Sequence, residues 1–136
     1  SYSGQIIINT TSHIGNYGTL KIEDESSKVQ FAGLVCNEFS SVFSRNKSEQ
    51  SLYNYFKNSG TVAISGIDTR MLVRHIRHKG AMNGIISTEI LDKDALKQRL
   101  QLVPSMAGLE LSSAVSTSEA YYFGQSAATY KVAVLD

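Results

Sequence analysis

Cysteine is almost missing from this sequence: Cys36 is the only one in 136 residues. A lone thiol excludes an internal disulfide framework and a multi-cysteine zinc site, and it fits a reducing compartment. Charge is also sparse. Asp, Glu, Lys and Arg make up 18% of the chain, below the usual quarter, so this is not a disordered, charge-rich segment. Neither sign dominates: thirteen basic residues face twelve acidic ones, a net charge of +1. Global charge therefore gives no reason to expect a nucleic acid or an acidic membrane as partner. No apolar run is long enough to span a bilayer. No basic-then-apolar start marks a secretory leader. What is present is 42% apolar residue, in a chain long enough to bury a core without disulfides or metal. That is one domain, or one domain and a small part of another.

Strand-like and helix-like segments alternate. Gln5 to Asn9 reads as a strand, and His13-Ile-Gly-Asn-Tyr-Gly18 as a turn built on Gly and Asn. Lys21 to Lys28 is polar and reads as an exposed loop or a short helical turn. Val29 to Phe39 is rich in strand formers, with Leu34-Val35-Cys36 buried on both faces. Ser48 is expected to cap a helix that buries Leu52, Tyr55 and Phe56 and stops at Gly60. Thr61 to Ile67 reads as a strand. Asp68 is the next cap, for a helix over Thr69 to Lys79 closed by Gly80. Ala81 to Glu89 reads as another strand. Asp92 or Asp94 caps a helix with Ala95, Leu96 and Leu100 inward, ended by Pro104. Met106 to Val115 contains a short helix, and Tyr121 to Tyr130 is a connector. The last run, Lys131-Val-Ala-Val-Leu-Asp136, reads as a strand that wants neighbours on both sides. A stretch of a longer chain is therefore expected, the alternative being an edge strand at each end. The element order predicts a mixed α/β (α+β) layered domain.

The chemistry-bearing residues are few. Cys36 lies among Leu34, Val35 and Phe39 without a Gly-x-Cys-x-Gly elbow, so it reads as core packing and not as a nucleophile. His75 and His78 are three apart on one helix, but a zinc site needs further ligands and no carboxylate is near in sequence, so they read as a solvated helix face. His13, on a glycine-rich turn, is either a functional loop residue or a hydrogen-bonded turn residue; the residues alone leave both open. Gly15 and Gly18 follow a strand but lead into a polar loop, whereas a phosphate cradle needs a helix N-terminus behind it. The most suggestive feature is a basic helix face. At about 100° per residue, Leu72, Val73 and Ile76 share one side of the helix. Arg70, Arg74, Arg77 and His78 share the other. The default for such a face is hydration. The functional alternative is docking on an acidic protein surface, since arginine suits planar ion pairs at interfaces. Nucleic acid ranks behind both, because no aromatics interleave with the arginines.

The blocks Ser1-Tyr2-Ser3-Gly4-Gln5-Ile6, His13-Ile-Gly-Asn-Tyr-Gly18, Glu25-Ser26-Ser27 and Ala32-Gly33-Leu34-Val35 resemble the small, glutamine-hydrolysing subunit of carbamoyl-phosphate synthase. So do Ser51-Leu52-x-x-Tyr55-Phe56 and Gly66-Ile67-Asp68-Thr69-Arg70-x-Leu72-x-Arg74, followed by Ile76-Arg77-x-x-Gly80-Ala81-x-Asn83-Gly84-Ile85-Ile86. The blocks stand in family order to about Ser87, and the Ile67 to Gly84 stretch is the most specific. Beyond it, Gly108-Leu109 and Thr117-Ser118-Glu119-Ala120-Tyr121 also look familial. Many members have Tyr-Pro before the His-Ile-Gly-Asn block, where this chain has Thr11-Ser12. The resemblance implies a swivelling β/β/α-type layered domain, truncated at both ends. It implies residues 1–120 as the small-subunit N-terminal domain, 121–130 as connector and 131–136 as the first strand of a class I glutamine amidotransferase domain.

The same resemblance implies function. The complete small subunit hydrolyses glutamine and passes ammonia to the large subunit. There ATP and Mg serve the making of carbamoyl phosphate for pyrimidine and arginine synthesis in the cytoplasm. This stretch would dock and hold no catalytic residue or cofactor of its own. Ser1, matching the serine of the family's Pro-Ser-Tyr motif, is the expected glutamine contact. Arg70, Arg74 and Arg77 are the candidate subunit interface, on the large subunit or the amidotransferase domain, with Arg70 alternatively paired to Asp68. Expected partners are the large subunit, the amidotransferase domain of the same chain and glutamine, with no nucleic acid or membrane. The rival reading is a non-catalytic interaction module that keeps the fold without the chemistry.

Overall fold

The computed structural model describes residues 2–124 and 127–135. Three short apolar runs make its central sheet: β1 (Ile6–Ile8), β3 (Gly33–Val35) and β5 (Val62–Ile64). They pair in parallel in the order β1-β3-β5, with Ile7 opposite Leu34 and Leu34 opposite Ala63. Parallel strands cannot be joined by a hairpin, so each connection must cross over. Between β3 and β5 that crossover carries helix α1 (Leu52–Ser59). The middle strand is buried throughout, which is why β3 reads as an unbroken apolar run and not as an alternation.

The ribbons continue past the sheet. β2 (His13–Ile14) pairs in parallel with β4 (Glu38–Phe39), His13 opposite Glu38. The first ribbon takes four residues from Ile8 to His13, the second only two from Val35 to Glu38. The extra length is folded locally: Asn9 Oδ1 accepts from the Thr11 amide at 2.9 Å, and Thr11 Oγ1 donates to the His13 carbonyl at 3.1 Å. The segment expected as a simple turn thus contributes a two-residue strand before Gly15 and Gly18 turn the chain.

Helix starts follow capping chemistry. Asp68 accepts from the Met71 amide at 2.9 Å and opens α2 (Thr69–Lys79). Asp92 accepts from the Ala95 amide at 2.8 Å and opens α3 (Lys93–Gln101), whose least exposed residues are Ala95, Leu96 and Leu100. Ser51, not Ser48, caps α1, accepting from the Asn54 amide at 3.2 Å. Ser48 lies four residues before the first helical residue, too early to accept from the helix amides, and its hydroxyl donates to the Tyr17 carbonyl. The last helix, α4, is only Ser112–Val115. A 3-10 turn at Lys21–Glu23 opens the polar loop, where Arg45 forms a bidentate ion pair with Glu23.

The core sits where α1 meets the sheet. Leu34, Val35, Cys36 and Phe56 are its buried apolar residues. Phe56 takes the edge of Phe31 at 5.9 Å between centroids and Phe39 at 6.1 Å. Phe31 therefore packs on α1 and does not extend β3.

The strand expected over Ala81 to Glu89 does not form. Instead the segment lies over the sheet face. A Cβ on Gly33 would come within 3.2 Å of Ile86, and one on Gly84 within 3.4 Å of Ile6. Asn83 anchors it by donating to the carbonyls of Val103 (2.9 Å) and Pro104 (3.2 Å). The Ile85-Ile86 doublet signals burial, and burial against a sheet face satisfies it as well as a ladder does. Lys131–Leu135 likewise pairs with no strand among the described residues; Val132, Val134 and Leu135 stand exposed.

Candidate functional site

The carboxyl ends of the parallel strands gather the polar candidates. β1 runs out into Asn9 and Thr10, β3 into Cys36 and Asn37, and β5 through Ser65 and Gly66 into α2. Backbone bonds fix that junction: Gly66 N–H to Asn37 C=O at 2.7 Å and Ile67 N–H to Cys36 C=O at 3.3 Å. Asn37 Nδ2 adds a bond to the Ile67 carbonyl at 3.4 Å. The start of α2 is thereby tied to the end of β3, with Thr69 buried beside it. Crevices at the carboxyl edge of such sheets are where α/β domains bind ligands.

On α2 the pattern read from the sequence holds. Leu72, Val73 and Ile76 are half-buried, while Arg70, Arg74 and Arg77 are exposed. A shallow groove of about 450 Å³ is lined by Thr10, Arg70, Val73 and Arg74. A second, of about 680 Å³, is lined by Met71, Arg74, His75, Arg77, His78 and Lys79. Arg74 belongs to both. Among the described residues, no carboxylate lies within ion-pair distance of these three arginines. Asp68 in particular forms no ion pair with Arg70, and its Oδ1 serves the Met71 amide.

The other candidates take structural places. Cys36 is 1% exposed, its Sγ 3.6 Å from the Ile64 carbonyl, and burial pushes its pKa up. That environment suits packing and opposes thiolate formation. His13 lies in β2, exposed, with Nδ1 3.3 Å from Ser12 Oγ. Gly18 turns the chain into the Thr19–Gln50 bridge, not into a helix N-terminus. His75 and His78 share the second groove, and among the described residues no three His, Cys, Asp or Glu are grouped to hold a metal ion. Ser1 lies outside the described residues. No helix among them is long and apolar enough to cross a membrane.

Thr10 was not singled out from the sequence. It lies sixty residues before Arg70, and only the parallel pairing of β1, β3 and β5 brings the two to one edge. The available signal was its position just after an apolar triplet, where α/β sheets place their ligands.

Comparison with known proteins gives one consistent result. The family described as carbamoyl-phosphate synthase small chain, CPSase domain, matches residues 1–86. The carbamoyl phosphate synthase small chain of Chlorobaculum tepidum is 42% identical over 136 residues, all of this chain and 37% of its own length. That of Thermosynechococcus vestitus is 46% identical over 121 residues, 89% of this chain and 32% of its own. That of Aquifex aeolicus is 41% identical over 125 residues, 92% and 34%. The chain spans about a third of the length of the curated relatives it matches.

Proposed function

The chain belongs to the carbamoyl-phosphate synthase small-chain family, and on that premise we propose that it is the docking domain of such a small chain. In this reading residues 1–120 form a swivelling β/β/α-type domain, 121–130 a connector, and 131–136 the opening strand of a glutamine amidotransferase domain. The full small chain hydrolyses glutamine, with Ser1 contributing to the glutamine site across the domain boundary. Ammonia passes to a large chain in the cytoplasm, which uses ATP and Mg to make carbamoyl phosphate. The 136 residues themselves contribute attachment, not chemistry.

The observation that carries the reading is the surface of α2, where three exposed arginines have no carboxylate partner among the described residues. An arginine face left unsatisfied by its own chain suits an acidic protein surface. The buried, bond-engaged Cys36 suits core packing and not a thiol nucleophile. Exposed Val132, Val134 and Leu135 suit a strand whose neighbours lie elsewhere.

The test compares this 136-residue chain with the complete small chain encoded by the same reading frame. The complete chain is expected to hydrolyse glutamine, and to support glutamine-dependent carbamoyl phosphate synthesis when mixed with the large chain. The 136-residue chain is expected to do neither. Glutaminase turnover by the short chain would overturn the assignment. A reading frame without a Gly-x-Cys-x-Gly elbow would replace the enzyme component with a non-catalytic interaction module.

A further inference from the structure

α2 concentrates the chain's charge. Thr69–Lys79 holds four of the thirteen Lys and Arg residues and none of the twelve Asp and Glu. Outside it, nine cations face twelve anions. So the near-neutral chain is a slightly acidic body carrying one strongly basic helix.

The cations on that helix are not equivalent. Arg77, His78 and Lys79 lie in its last turn, where the negative end of the macrodipole and the orphan carbonyls favour positive charge. Their presence is explained by helix stability alone. Arg70 lies in the first turn, at the positive end, where the dipole opposes it; the acidic cap, Asp68, is bonded to the Met71 amide and forms no ion pair with Arg70. Arg74, one turn on, gains nothing from either end. Yet these two arginines line one groove with Thr10 and Val73 at the carboxyl edge of the sheet. Residues four apart on a helix rise about 6 Å, close enough for two guanidinium forks to share one carboxylate or grip two adjacent ones. Thr10 borders the same groove.

We infer that Arg70 and Arg74, with Thr10, form the carboxylate-gripping centre of the docking surface, and that they receive acidic side chains of the large chain, whereas Arg77 serves α2 itself. The inference rests on the docking role proposed above and names its partner. The large chain is favoured over the amidotransferase domain because an exposed, concentrated charge chiefly accelerates encounter between separate molecules. A domain tethered on the same chain is already at high effective concentration and gains little from steering.

The experiment uses the complete small chain and its large chain, with affinity and association rate measured by surface plasmon resonance at low and at raised salt. Arg70→Glu and Arg74→Glu are each expected to weaken binding roughly tenfold or more, with a slower association rate and a shallower salt dependence. Arg77→Glu is expected to change affinity by less than about threefold while lowering the midpoint of thermal unfolding. Arg70→Lys keeps the charge but loses the fork, and is expected to fall between wild type and Arg70→Glu. Circular dichroism establishes that each variant is folded, and Arg74→Gln replaces Arg74→Glu if the latter is not.

Wild-type chains that do not associate would overturn the docking reading and this inference with it. Wild-type association with Arg70 and Arg74 variants binding normally would overturn this inference alone. So would a larger effect from Arg77 than from either of them. Unchanged affinity with altered glutaminase of the small chain would move the groove to the amidotransferase boundary and refute the large-chain assignment. Salt-sensitive binding of a duplex or single-stranded oligonucleotide, lost in the same variants, would refute it too.

Discussion

Gly18 and Gly60 provide a matched pair in which backbone strain and steric contact can be separated. Both are left-handed, with φ of 73° and 69°. Gly60 ends α1, its N–H bonded to the carbonyls of Lys57 and Phe56, and nothing lies within 4 Å of a Cβ built there. At Gly18 the same Cβ would lie 2.9 Å from the Gln50 carbonyl oxygen, the Phe43 ring and Ser48 Cβ at once. The Gln50 carbonyl cannot simply retreat, because it accepts from the Thr19 amide at 2.9 Å. Placing alanine in the left-handed region costs about 1–2 kcal/mol, offset by about 0.4–1 kcal/mol from reduced freedom of the unfolded chain. Gly60→Ala should therefore lose about 1 kcal/mol. Gly18→Ala carries the same strain plus overpacking of about 1–3 kcal/mol, for a total of about 2–4 kcal/mol. The assay is urea unfolding of each variant beside wild type, at matched protein concentration. Asparagine tolerates the left-handed region, so Gly60→Asn should recover much of the Gly60→Ala loss, and Gly18→Asn should recover none. Equal losses at the two positions, or rescue of Gly18 by asparagine, would refute the contact argument.

Two further outcomes follow from the packing and the loop. Phe56→Ala removes the one buried aromatic at the α1–sheet contact and should cost about 3–5 kcal/mol, a large share of a typical domain's stability, as read by circular dichroism and urea midpoint. Phe56→Leu keeps much of the buried apolar volume and should cost clearly less; equal losses would mean that the ring contacts with Phe31 and Phe39, and not buried volume, hold α1. The hydrogen bond from Arg45 holds the Glu23 carboxyl below its ordinary pKa. Its contribution is complete above the unfolded carboxylate value and is lost as pH falls through the lowered folded value. The wild-type urea midpoint should therefore fall more steeply on acidification than that of Glu23→Gln, and parallel profiles would show that the pair contributes nothing.

The elements legible in the sequence were those decided within a few residues. Asp68 opens α2, and the helix spans Thr69–Lys79 with Gly80 after it, as the spacing of cap, apolar stripe and glycine foretells. Asp92, Gly60 and the inward residues of α3 follow for the same reason: a cap bond reaches three residues, and helical periodicity repeats every turn. Arg70, Arg74 and Arg77 could be placed on one exposed face by that periodicity alone, and the family by its ordered blocks.

What the tertiary structure decided was everything that depended on a distant partner. Ser48 looks as good a cap as Ser51 until the fold sets it against Tyr17, thirty-one residues away, and starts the helix only at Leu52. The Ile85-Ile86 doublet looks like a strand until Gly33, lacking a side chain, leaves room for Ile86 on the sheet face. Thr10 looks like an ordinary loop residue until parallel pairing sets it beside Arg70 and Arg74. Hydrophobicity demands burial but does not specify against what, and a side-chain bond or a groove exists only once the chain has returned on itself.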